Sequence, residues 1–146
     1  ALDRIQSFFP PEHHSQVWMD LSLNLKSMVA QQLLPRKDGN GRTPVVEVLL
    51  NTPLVADYIR KGEAHLIKDL MAKSTELGMQ TLDQSLTKAY KEGLISKEDA
   101  IRYADSANDV RLAIKMFERG QFGGGADEFS LSFEDKDDGG RFMGRS

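Results

Sequence analysis

The chain has 146 residues, 40% hydrophobic and 28% charged, with a formal net charge of -3 and no cysteine. That length supports one compact domain with its own core, and the missing cysteine excludes disulfide frameworks, thiol nucleophiles and thiolate zinc sites, as fits a reducing, cytoplasmic setting. Residues 1–119 carry 16 basic and 16 acidic side chains while residues 120–146 carry 3 and 6, and a neutral body without a basic stripe argues against nucleic-acid binding.

No apolar run approaches the roughly 18 residues of a membrane span, and residues 1–5 lack a signal peptide's charge order, so a soluble chain without direct membrane insertion is expected. Residues 2–9 read as a short helix that runs into Pro10 and Pro11, the second of which suits the first turn of a new helix. A long helix follows, in which Val17, Leu21, Leu25, Met28 and Val29 recur at helical spacing and Trp18, Leu23 and Leu33 broaden the apolar stripe. The pattern changes near Gln32. Residues 32–37 and 43–50 predict two strands around Asp38-Gly39-Asn40-Gly41-Arg42, whose glycines accept positive φ. The second strand, with Val45, Val46, Val48, Leu49 and Leu50, is almost continuously apolar, which predicts burial on both faces and pairing with strands beyond this hairpin.

Thr52-Pro53 reads as an N-cap and first residue of a helix ending at Gly62, and a second helix runs from Glu63 to Gly78. A third is predicted from Met79 to Gly93. Ser96-Lys97-Glu98-Asp99 has capping-box form and opens a fourth helix, and Ser106-Ala107-Asn108-Asp109 repeats the device for a fifth. From Gly120 the composition shifts, with 7 of the 12 glycines in the last 27 residues. Such a tail is expected to be flexible, yet Phe129, Leu131 and Phe133 alternate with serines as a strand would, which suggests pairing with a sheet edge.

Chemical motifs are few. No segment matches the phosphate loop, and Gly123-Gly124-Gly125 leads into Asp127 and Glu128, whose charge repels phosphate. His13 and His14 point about 100° apart on a helix and chelate nothing together, so they read as a solvated helix start, and His65 near Asp69 reads as a surface contact. No nucleophile sits in a glycine elbow. The tip Arg36 to Arg42 is basic but reads as an ordinary turn, and the apolar helix that a winged-helix reading would place in DNA is poor in Lys and Arg.

Several segments together resemble the type IV pilus retraction ATPases. Leu2-Asp3-Arg4-Ile5 with Phe8-Phe9-Pro10 is similar to the stretch after that family's histidine box. Gln32-Leu33-Leu34-Pro35, Gly41-Arg42 and Val46-Glu47-Val48-Leu49-Leu50 resemble its core hairpin, with Thr52-Pro53 opening the next helix. Gly78-Met79-Gln80-Thr81-Leu82-Asp83-Gln84 is the most specific match, and Asn24-Leu25, Leu49-Leu50-Asn51 and residues 104–109 favour the PilU-like branch.

The resemblance covers residues 1–117. It implies the C-terminal helical portion of a RecA-like α/β ATPase domain: mainly α with one β-hairpin, residues 1–51 ending the ATPase core, 52–119 a helical subdomain, and 120–146 the flexible, Gly-rich acidic tail. It implies a homo-hexameric motor at the cytoplasmic face of the inner membrane, partnered by a PilT-like retraction motor and the pilus inner-membrane platform. ATP and Mg are implied for the longer parent, whose nucleotide motifs would precede Ala1, so no hydrolysis, cofactor or metal is expected of this chain alone. PilT-branch motors carry Ala-Ile-Arg-Asn-Leu-Ile-Arg-Glu where this chain has Leu54-Val55-Ala56-Asp57-Tyr58-Ile59-Arg60-Lys61, and the lost first arginine suits an accessory motor. Tyr58, Ile59 and Arg60, with Gly78, Met79, Gln80, Thr81, Asp83 and Gln84, are the expected coupling or interface residues. Phe129, Leu131 and Phe133 are the expected partner motif of the tail. The competing reading is a self-contained helical interaction module whose acidic Phe-Leu-Phe tail recruits a partner, with the hairpin capped inside the chain.

Overall fold

A computed structural model describes residues 2–122. Helix α1 (Leu2–Gln6) ends before Pro10, and Pro11 opens a 3₁₀ turn (Pro11–His13) leading into α2 (His14–Asn24), since proline lacks the N–H that a helix interior uses but its first turn does not. His14 is more than a solvated helix start. Its ring nitrogens lie 2.8 Å from Gln6 Nε2 and 2.8 Å from the Phe9 carbonyl oxygen, tying α2 to α1.

The expected long helix breaks at Asn24. Residues Ser27–Pro35 form β1, paired antiparallel with β2 (Arg42–Leu50) from Ser27 opposite Leu50 to Pro35 opposite Arg42. Over so short a stretch, apolar Leu25, Met28 and Val29 fit either period, and the backbone of a nine-residue β2 settles the choice by offering hydrogen bonds along its length. Val29 and Leu33 therefore leave the core, at 63% and 54% exposure, and Leu23, on the outer side of α2, is 70% exposed. Trp18 is buried, and Met28 packs against its cluster.

The sheet has two strands. Leu34, Thr43, Val45 and Leu49 on its inner face are buried, whereas the outer face presents Val29, Leu33 and Pro44 to solvent beside half-buried Val46, Val48 and Leu50. Only one face of β2 is thus fully covered. The free edge of β2, expected to meet strands beyond the hairpin, is closed by the same chain. Val48 N–H donates to the Gln80 carbonyl at 2.8 Å and Gln80 N–H to the Val48 carbonyl at 3.0 Å. Gln80 Nε2 donates to the Val46 carbonyl at 2.6 Å, and Val46 N–H donates to Ser85 Oγ at 2.9 Å. Among the described residues, no strand lies on the outer edge of β1.

Thr52 caps α3 (Pro53–Lys61) by accepting from Val55 N–H, and Gly62, at φ 71°, closes it in the left-handed conformation. Helix α4 (Ala64–Lys73) and a 3₁₀ turn (Thr75–Leu77) end at Gly78, φ 92°. Helix α5 (Leu82–Lys91) starts three residues later than expected, because Gln80 is held in its bridge to β2. Ser96 Oγ accepts from Asp99 N–H to open α6 (Lys97–Arg102), and α7 (Ala107–Phe122) follows. The alternating Phe129, Leu131 and Phe133 lie outside the described residues.

Buried apolar side chains fall into two clusters. The first joins Leu2, Trp18, Leu49, Val55, Ile59, Ile67, Met71 and Met79. The second joins Leu34 and Val45 to Leu86, Ala89, Ile95, Ala100, Val110 and Ile114. The hairpin feeds both, one end into each, so it is the beam on which α1–α4 and α5–α7 are mounted.

Candidate functional site

Residues 78–84 are the joint between the two clusters. Gly78 turns the chain with a positive φ that a side chain would resist, which delivers Met79, 2% exposed, into the first cluster. Gln80 then binds β2 through both backbone and side chain, as described. Thr81 and Gln84 form a reciprocal capping box, Gln84 N–H donating to Thr81 Oγ1 at 3.2 Å and Thr81 N–H to Gln84 Oε1 at 3.0 Å. Gln84 Nε2 also donates to the Ala72 carbonyl at 3.1 Å, reaching the C-terminal turn of α4. Asp83 faces the opposite way: its two carboxylate oxygens accept from the backbone N–H of Asp105, at 2.8 Å, and of Ser106, at 3.0 Å, at the start of α7. One heptapeptide therefore ties together β2, α4, α5 and α7.

Beside this joint, a groove of about 860 Å³ runs between α4 on one wall and α5 with α7 on the other. Ala72, Val110 and Ala113 supply apolar lining, and Lys88 and Lys91 of α5 stand along one lip. Two bonds cross it: Gln84 to Ala72, and the Lys68 to Asp105 ion pair at 2.6 Å. Partial burial draws the Lys68 pKa down, but the Asp105 hydrogen bond and charge outweigh it and the net shift is upward. Both side chains are substantially exposed, which keeps the worth of the pair within ~1 kcal/mol. The groove does not suit a nucleotide, because Asp69, Asp83, Asp105 and Asp109 line it and would repel phosphates. Among the described residues, no group of three or more His, Asp or Glu could hold a metal ion.

The structure separates the expected α3 residues from this joint. Ile59 is 1% exposed in the first cluster and Tyr58 packs partly buried beside it. Arg60 lies on the surface, donating to Asp57 at 2.6 Å, and Lys61 pairs with the same carboxylate at 2.7 Å. Hydrogen bonds from Lys61 and then Arg60 hold the Asp57 carboxyl below its usual range. Sequence reading missed a second polar node, in which Glu118 of α7 accepts from Tyr90 Oη at 2.8 Å and from Lys97 Nζ at 3.0 Å. Its partners lie 28 and 21 residues away, so no local pattern announces it. The capping box does carry a signal in the sequence, since Thr81-x-x-Gln84 has the required form.

No family model matches the chain. It is 65% identical over 116 residues to the type IV pilus ATPase PilU of Pseudomonas aeruginosa, a match covering 80% of this chain and 30% of that protein. The chain belongs to the type IV pilus retraction ATPase family. The pilus retraction ATPase PilT of the same organism is 35% identical over 100 residues, 68% of this chain and 29% of that protein. The crystal structure of the pilus retraction motor PilT with bound ADP superposes with a TM-score of 0.64 at 32% identity, covering 76% of this chain and 30% of that one. The mostly helical fold with its single hairpin is thus the fold of part of a retraction ATPase. The chain spans about 30% of the length of the family members it matches.

Proposed function

We propose that this chain is the C-terminal part of the motor domain of an accessory, PilU-like retraction ATPase, and that it supplies subunit packing and coupling to partners, not the nucleotide site. Identity of 65% to PilU against 35% to PilT supports the accessory branch. The observation that carries the packing role is the uncovered outer face of the hairpin. Val29, Leu33 and Pro44 stand exposed beside Val46, Val48 and Leu50, an apolar surface of the kind that marks an interface.

On this reading residues 1–51 close the RecA-like core, residues 52–119 form the helical subdomain and residues 120–146 the tail. ATP and Mg are bound by parts of the parent that carry the phosphate loop. The parent assembles as a hexamer at the cytoplasmic face of the inner membrane and works with a PilT-like motor and the pilus platform. Within this chain, the joint at Gly78, Met79, Gln80, Thr81, Asp83 and Gln84 passes displacement of the hairpin to α4 and α7. Arg60, with partly buried Tyr58 beside it, sets the α3 surface that faces a neighbour, and Ile59 anchors that helix in the first cluster.

The test compares Val29→Arg/Leu33→Arg in this chain and in the full-length gene product. In this chain both sites are exposed, so stability should change by less than ~0.5 kcal/mol. In the full-length protein the pair should abolish assembly and ATP hydrolysis, and with them twitching. A full-length variant that assembles, hydrolyses ATP and supports twitching as before would overturn the proposal.

A further inference from the structure

Helix α7 turns one side into the second cluster and leaves the other uncovered among the described residues. Val110 and Ile114 are buried and Phe117 packs edge-on against Tyr90 of α5, whereas Leu112 and Met116 are 58% and 67% exposed and Arg111, Lys115 and Arg119 are exposed with them. We infer that this outer face of α7 is the docking site for an acidic amphipathic helix of a different protein, whose apolar side chains cover Leu112 and Met116 and whose carboxylates meet the three cations. This goes beyond the hairpin-face reading of the motor and does not rest on it.

The pattern follows from helix geometry, in which successive residues step ~100° around the axis. Arg111, Lys115 and Arg119 form one row, Leu112 and Met116 form the row beside it, and Val110, Ile114 and Phe117 fall on the opposite side, toward the core. The basic row runs ~12 Å with its charges ~6 Å apart, a spacing that carboxylates at every fourth position of a facing helix reproduce. The positive charge is uncompensated. Among the described residues none of the three cations pairs with a carboxylate, and Arg111 donates to Asn108 Oδ1 of the same helix at 3.1 Å. Glu118 of α7 is already engaged by Tyr90 and Lys97.

Other occupants fit this face less well. An extended peptide takes much of its affinity from backbone hydrogen bonds to a sheet edge, and the middle of a helix has no free N–H or C=O to offer, whereas a docking helix satisfies its own backbone. An anionic membrane meets a second difficulty, because the cations stand on one side of the apolar row only. Asp109 flanks that row on its other side, next to the groove that Asp69, Asp83 and Asp105 also line, and a flat anionic surface resting on Leu112 and Met116 would face those carboxylates too. A helix, ~10 Å across, is narrow enough to face the basic row alone. A second copy of this chain lacks the counterpart, since none of the helices described carries three carboxylates.

The experiment titrates the whole isotopically labelled 146-residue chain with a ~20-residue synthetic helix that has one leucine row, glutamates along one side of it and alanines elsewhere. Amide resonances of Arg111, Leu112, Lys115 and Met116 should shift to saturation, while those of β1 and of Ala72 in the groove stay in place. Arg111→Glu/Lys115→Glu should weaken binding at least ~10-fold, as should Leu112→Ser/Met116→Ser. The same peptide with lysines for its glutamates should bind at least ~10-fold more weakly, and raised salt should cost the glutamate peptide several-fold in affinity. All four substituted positions are exposed, so unchanged urea midpoints separate lost docking from lost fold. Val29→Arg/Leu33→Arg should bind the peptide as the parent does, which keeps this test distinct from that of the hairpin face. Absence of shifts on α7, or equal binding of the lysine peptide, overturns the inference. So do α7 signals broadened by phosphatidylserine vesicles but not by the peptide, which would assign the face to a lipid surface. Shifts that appear on α7 without peptide as protein concentration rises would assign it to a second copy. Shifts that appear without peptide when the carboxylates of residues 127–138 are replaced by amides would assign it to the chain's own tail, and either result overturns the inference as well.

Discussion

Removing the Asp83 carboxylate should loosen α7 from α5 while leaving the first hydrophobic cluster intact. The carboxylate accepts two backbone N–H bonds, at 2.8 and 3.0 Å, from Asp105 and Ser106, the two residues that lead into α7 and have no preceding helical turn to accept them. Bonds to a charged acceptor contribute ~1.5–3 kcal/mol each when sheltered. Asp83 is only half-buried and Asp105 is partly exposed, so water takes over part of the role. The sum therefore falls to ~2 kcal/mol, the upper end of what a lost helix cap costs. Asp83→Ala should lower stability by that amount in urea unfolding, and Asp83→Asn, which keeps one acceptor, by ~1 kcal/mol. In the same samples the Asp105 and Ser106 amide resonances should move while those of Val55 and Ile59 stay in place. An Asp83→Ala chain within ~0.5 kcal/mol of the parent, or unmoved amides at 105 and 106, would refute the reasoning.

Gln80→Ala removes the side-chain bond to Val46 but keeps the backbone bridge to Val48, and should cost ~1 kcal/mol; Gln80→Pro also deletes the N–H that donates to Val48 and should cost clearly more in the same unfolding measurement. Leu86→Ala, at a position with no exposed surface, should cost ~2–5 kcal/mol by thermal unfolding. Gly62→Ala combines a φ of 71° with a new Cβ 3.4 Å from Trp18 Nε1, and should lower stability by at least ~1 kcal/mol, with a change in Trp18 fluorescence. Hydrogen bonds from Lys97 and then Tyr90 hold the Glu118 carboxyl below the usual glutamate range. A depressed folded-state pKa means stability that is present above the ordinary glutamate pKa and lost as pH falls through the folded value. Glu118→Gln should therefore flatten the decline in stability below that pH, and an unchanged slope counts against the node.

Local chemistry made the helix boundaries from Thr52 onward legible, because Thr52, Gly62, Gly78 and Ser96 act within four residues of where they stand. The same local reading misplaced Met28 and Val29, whose spacing suits a helix. Their conformation is set by Val48 and Leu49 across the sheet, about twenty residues away, and no window along the chain contains both partners. Family resemblance picked out residues 78–84, but their work was visible only in three dimensions. Gln80 meets Val46 and Val48 more than thirty residues earlier, and Asp83 meets amides more than twenty residues later. The groove was not legible at all, since α4 and α7 become its walls only after both clusters have packed on the hairpin.

The sealed edge of β2 gives the sheet a direction of growth. With Val46 and Val48 already bonded to Gln80 and Ser85, a further strand can be added only beside β1. Any larger sheet that incorporates this hairpin must therefore end on β2, with residues 78–85 as its terminal stop. Because an edge strand with free N–H and C=O groups invites unwanted partners, that stop also makes β2 the side of the sheet that is shielded from recruitment by other chains.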